Sequence, residues 1–218
     1  MGCDPGTDSH VGLLQQRFLQ QVQTPARYLG LEHNSIVKDA ASVRARFALC
    51  YPDTYEIGMS HLGSLILYSV INSHPEVWCE RAYHPWLDAT ELMRREGLPL
   101  TSLESHTPLA QFDLVGLTLQ HELNYTAALS LLDLAQITLR AAERRPAEPL
   151  VIAGGPCAYN PEPVADFFDL FVIGEGEEVT LELLDAYLAE QETWAEAPGA
   201  DQRVALLTRL AQIEGVYV

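Results

Sequence analysis

The sequence predicts a doubly wound α/β fold: a five-stranded parallel sheet with helices on both faces and a helical extension ahead of it. Three observations predict it. Short runs of apolar β-formers alternate along the chain with stretches of helical spacing. Two of those runs, DLVGLTLQ and LVIAGG, are almost wholly apolar, as suits strands covered on both faces. Glycines follow the last two runs, where a chain leaving a strand for a helix has to turn sharply.

Residues 9–24 carry helical spacing through Val11, Leu14, Phe18 and Val22, and Pro25 stops the run. RYLGLEHNSIVKD follows as a short irregular lead-in. Val43, Ala45, Phe47 and Leu49 alternate with Arg44 and Arg46, a first strand that ends at Pro52. Ser60 is the expected N-cap of a helix whose apolar face is Leu62, Leu65, Ile66, Val70 and Ile71. EVWCERAYHP, residues 76–85, reads as a second strand. DATELMRREG opens on Asp88 as a cap and closes on Gly97, a helix with both punctuation marks. The third strand is expected over residues 113–120, followed by a helix over 124–134. The fourth covers 150–155 and the fifth 169–174, with a helix from Glu177 to Leu188 after it. ETWAEAPGA, residues 192–200, reads as a linker before a short helix over 201–211, and EGVYV as the start of another strand. The expected organisation is a lead-in over 1–40, the α/β domain over 41–191, and a linker, short helix and entry to a following domain over 192–218. Five strands alternating with helices suit a flavodoxin-like sheet.

The bulk chemistry narrows the function classes. At 218 residues the chain is long enough to bury a sizeable core, and it carries a formal net charge of −17. Lys38 is its single lysine, so a polyanion backbone meets no dense basic face and nucleic-acid binding is not expected. The first twenty residues lack the cationic start and apolar core of a signal peptide, and no apolar run reaches the ~18–20 residues of a membrane span. A cytoplasmic protein is the expectation. Cys3, Cys50, Cys79 and Cys157 are too scattered for a zinc knuckle or a CxxxCxxC iron–sulfur triad. No catalytic triad order, Walker loop or GxGxxG appears, which leaves hydrolase, nucleotidase and dehydrogenase readings without a motif. Asp53 and Glu56 face no recognisable nucleophile.

In an open parallel sheet, ligands bind beyond the carboxyl ends of the strands. Four segments meet there: YPDTYEIGMSHLG after the first strand, TLQHE after the third, GGPCAYN after the fourth and GEGE after the fifth. Gly154 and Gly155 let the backbone turn without a Cβ in a ligand's way, and Gly174 and Gly176 do so ahead of a helix N-terminus. Glu175, Glu177 and Glu178 already satisfy that dipole, so a bare phosphate would be repelled and a neutral or amide-bearing edge is favoured. Such turns also occur for purely structural reasons. Cobalt-ligating histidines of mutases stand in Asp-x-His-x-x-Gly, whereas here Asp53 lies eight residues before His61 and Gly63 two after it. His61 therefore reads as a first-turn histidine beside the site, His121 as a residue facing a ligand or starting a helix, and Cys157 as a packed small residue more than an activated thiol.

RYLGLEHNSIVKD, ARFALCYPDTYEIGMSHLG, SLESHTPLAQFDLVGLTLQHELNYT, LVIAGGPCAYNPEPVADFFDLFVIGEGEE and the closing GVYV together resemble a known family. It is the N-terminal part of uncharacterised fused proteins that join a cobalamin-binding-like domain to a radical S-adenosylmethionine domain, and the resemblance spans residues 27–218. It implies a cobalamin lying flat on the strand ends with its nucleotide tail buried and no protein histidine on cobalt. The implied contacts are Pro52, Asp53, Gly58, Ser60, His61, Leu62, Gly63, Thr118, Gln120, His121, Gly154, Gly155, Pro156, Cys157, Gly174, Glu175, Gly176 and Glu177. It further implies that S-adenosylmethionine and a 4Fe–4S cluster belong to a radical domain, in cis or on a separate chain, so this chain would not be catalytic alone and would be a truncated or split product. A degenerate module that docks without cofactor is the alternative, and a receiver-like protein lacks its lysine.

Overall fold

The structure, a computed structural model, describes residues 17–194 and 201–218. Its sheet has the order β2-β1-β3-β4-β5-β6, from β1 (Ala45–Tyr51), β2 (Val77–Tyr83), β3 (Leu114–Thr118), β4 (Leu150–Gly154), β5 (Leu170–Val172) and β6 (Val216–Tyr217). The first five are parallel, with registers such as Leu49 opposite Gly116 and Leu117 opposite Ala153, which is the flavodoxin-like order. The sixth strand departs from the five expected. EGVYV turns back along the free edge of β5 and pairs antiparallel, Phe171 opposite Tyr217 and Val172 opposite Val216. The pairing occupies edge N–H and C=O groups of β5 that would otherwise stand free.

Among the described residues, the helices that flank the sheet are α1 (Tyr55–Ser60), α2 (Leu62–Ser73), α3 (Leu87–Glu96), α4 (Asn124–Leu134), α5 (Gly176–Trp194) and α6 (Asp201–Leu210). On one face, Met93 of α3 and Leu131 and Leu132 of α4 pack over Ala48, Val115, Val151 and Phe171. On the other, Tyr68 and Ile71 of α2, Leu183, Leu184 and Tyr187 of α5 and Leu206 and Leu210 of α6 pack over Phe47, Leu114, Ile152 and Leu170. Neighbouring residues of one strand thus feed opposite cores, which is why β3 reads as unbroken apolar sequence.

Three local expectations are corrected. Ser60 ends α1 instead of capping α2; the cap is His61, whose extended backbone (φ −79°, ψ 109°) and ring nitrogen take the Ser64 N–H. The buried face of α2 is Ser64, Tyr68, Ile71 and Asn72, so Leu62 and Ile66 of the expected face are exposed. Asp88 lies in the first turn of α3 without capping it, and its carboxylate accepts the Gln23 N–H at 2.6 Å. Gly97 closes α3 in the left-handed region as expected (φ 66°).

The expected leading helix over 9–24 lies largely outside the described residues. Within them, residues 17–19 are helical, and Phe18 and Val22 pack on Ala89 and Leu92 of α3. The irregular lead-in then covers the edge of β2. Lys38 Nζ donates to the carbonyls of Asn72, His74 and Val77, and Trp78 Nε1 donates to Ile36 O. Further along that edge, Glu104 takes the N–H and guanidinium of Arg81, and Leu103 N–H donates to Arg81 O. Every residue of β2 is consequently buried, Glu80 and Arg81 included. Glu80 is neutralised by Arg46, whose guanidinium lies over the rings of Trp78 and Phe112.

Candidate functional site

The parallel strands deliver their carboxyl ends to one rim, and the order reverses between β1 and β3, so the switch point lies where the Pro52 and Leu119 segments diverge. Asn124, the first residue of α4 and buried, ties it. Its Oδ1 accepts the N–H groups of Gln120 and His121 at 3.1 and 3.3 Å, and its Nδ2 donates to Pro52 O at 3.4 Å. The β3 and β4 ends are knitted just as closely: Leu119 N–H donates to Gly154 O (2.7 Å) and Cys157 N–H to Leu119 O (3.1 Å). Gly155 has φ 94°, and a Cβ there would stand 2.8 Å from Leu119 O and 3.2 Å from Gln120 Nε2. The glycine is demanded both by conformation and by close approach.

The expected contact residues divide by exposure. Ser60, Leu62, Gly63, His121, Pro156, Gly174 and Glu175 are exposed, and Asp53, His61, Gln120, Gly154, Gly155, Cys157, Gly176 and Glu177 are half-buried. Pro52, Gly58 and Thr118 are buried. Gly58 serves packing, since a side chain on it would run into the Tyr83 ring. Asp53 is held by its backbone, with Thr54 N–H donating to Oδ1 (2.7 Å) and His84 N–H to its carbonyl (2.9 Å). Gly176 lies against Leu67 of α2, which brings the β5 loop beside the β1 loop across one face of the sheet.

His61 leans on Tyr51 (ring centroids 5.0 Å apart), and its Nδ1 accepts the Ser64 N–H at 3.1 Å. A metal-bound imidazole donates its second N–H to an acceptor. Here a backbone donor fixes Nδ1 as the acceptor, so capping α2 and ligating a metal through Nε2 exclude one another. Among the described residues no three of His, Cys, Asp and Glu gather as a metal site. Cys157 is a free thiol beside Tyr125, whose phenol is pushed above its ordinary pKa by burial and by that thiol's hydrogen bond.

Ile57, Leu62 (68% exposed), Leu123 (84%) and Tyr159 (71%) stand in solvent in the segments after β1, β3 and β4. Leu62 is among the expected contacts; sequence reasoning missed Ile57, Leu123 and Tyr159, although Leu123 stands at a helix start. It missed Asn124 because an asparagine opening a helix reads as a cap, whereas here it spans two loops. It also did not anticipate a cavity of about 490 Å³, which lies off the β2 flank and is lined by none of the expected contact residues.

Fold and rim define a parallel α/β module whose strand-end loops combine glycine turns with exposed apolar side chains. The family model for radical SAM proteins, N-terminal, matches residues 63–218, and the chain belongs to that family. It is 24% identical over 171 residues to an uncharacterized protein of Methanocaldococcus jannaschii, covering 78% of this chain and 28% of that one. The chain thus spans little more than a quarter of that relative's length. Among the described residues no helix is long and apolar enough to cross a membrane.

Proposed function

We propose that this domain carries cobalamin on its strand-end rim and presents it to a radical S-adenosylmethionine domain that holds the 4Fe–4S cluster. The observation that carries the reading is the rim itself, where a Cβ on Gly154 or Gly174 would meet nothing nearer than 3.9 Å and Leu62, Leu123 and Tyr159 of the neighbouring segments are exposed. A flat macrocycle needs that combination: backbone it can approach closely, and apolar side chains that gain by being covered. Bound cobalamin would supply an alkyl-carrying cobalt for methyl transfer or a related radical reaction. The protein's share is to hold the macrocycle by Gly154, Gly155, Gln120 and His121 and to shield its edge from water with Leu62 and Leu123. In this reading His61 stays with α2 and no protein histidine is asked of the cobalt.

One feature favours a second reading. Asn124 closes the switch-point crevice, so the nucleotide tail would have to lie outside it, and a rim used for docking alone needs no crevice. Hydroxocobalamin added to the purified chain separates the two readings. Shifted corrin bands and corrin retained through a desalting column are expected, and unshifted bands with no retention would leave the docking reading standing.

A further inference from the structure

We propose a second ligand site, for a neutral aromatic molecule, in the cavity off the β2 flank. The inference is independent of the rim reading. The cavity's volume of about 490 Å³ falls among those of small-molecule pockets, roughly 300–1,000 Å³. Its walls are mostly apolar and aromatic, among them Phe18 and Tyr28 of the lead-in, Tyr83, Met93 of α3 and Leu100.

Charge chooses the class of ligand. Arg27, at the cavity, is paired with Glu56 at 2.7 Å. The hydroxyls of Ser105 and Thr107 take Nη2 of Arg46, which already pairs with Glu80. Each of these charges therefore has its opposite, and an ionic ligand would have to displace one. His84 has both nitrogens engaged, Nε2 with Ser130 Oγ and Nδ1 with Pro85 O, each at 2.9 Å, so it offers its ring face. His106 lines the cavity as well, and its burial favours the neutral ring.

A further observation is the backbone at His106. It adopts φ 55°, a conformation that non-glycine residues take at a cost, at the tip of the loop closed by the Thr101–Pro108 bridge. That loop forms one wall of the cavity and the lead-in another. Tyr83 is shared ground, since it lines the cavity together with Tyr55, which its ring meets edge-on, and also packs on Gly58 behind the rim.

N-phenyl-1-naphthylamine, a neutral aromatic probe that fluoresces when taken out of water, tests the proposal on the full chain. One saturable site is expected. Leu98→Trp, which places an indole on the lining, should weaken binding about tenfold, equivalent to about 1.4 kcal/mol. In the unmodified chain the ring-proton resonances of His84 and His106 should shift on adding probe while those of His61 and His121 stay, and this readout does not depend on the variant folding. Absence of saturable binding, unchanged affinity in folded Leu98→Trp, or shifts at His61 and His121 instead would each overturn it.

Discussion

At Gly155 one missing carbon decides how closely the β3 and β4 loops can approach. With φ 94° and Leu119 O so near, Gly155→Ala is expected to cost about 1–3 kcal/mol in urea unfolding and to weaken any corrin binding. The glycine pair was legible in the sequence because a sharp turn after a buried strand has few alternatives. The role of His61 was not, because Ser60 is the stronger cap by type, and only the end of α1 at Ser60 moves the cap one residue on. Two half-buried imidazoles set a pH response. Burial holds His84 and His106 below the ordinary histidine pKa. In the unfolded chain both take a proton near pH 6.5, while the folded chain resists it, so their contribution is complete above about 6.5 and is lost as pH falls from there toward their folded values. Burial raises the carboxyls of Glu104 and Asp113, which act with the opposite sign on acidification. Comparing His106→Asn with the parent chain cancels those carboxyls. The variant should show a shallower fall in Tm between about pH 7 and 5; parallel curves would contradict the assignment.

Among the elements, the parallel strands were legible because burial on both faces writes itself into an unbroken apolar run. β2 was legible as a strand, yet nothing local shows that Glu80 and Arg81 are buried. Their partners Arg46 and Glu104 lie 34 and 23 residues away. β6 was read as the entry to something further, because a two-residue strand gains its identity wholly from the edge it pairs with. Asn124 joins three elements at once: the loops after β1 and β3 and the start of α4. Asn124→Ala strips the Gln120 and His121 N–H groups and Pro52 O of their partner, and should cost about 1–3 kcal/mol by denaturant unfolding. Hydrogen exchange at residues 118–121 should rise with it. Unchanged stability would mean that water takes over these bonds and that the crevice is not tied.

For the whole molecule, the sheet concentrates four loops on one rim and leaves a second recess on the β2 flank, with Tyr83 between them. A net charge of −17 surrounds a rim whose exposed large side chains include Leu62, Leu123 and Tyr159, so contact there depends on covering apolar surface more than on attracting charge. Whether a corrin covers the rim is read by hydrogen–deuterium exchange of the chain with and without hydroxocobalamin. Slowed exchange is expected at residues 57–63, 118–123 and 154–159, with the β2 flank unchanged. Equal exchange at all three segments in the two samples would contradict the corrin reading.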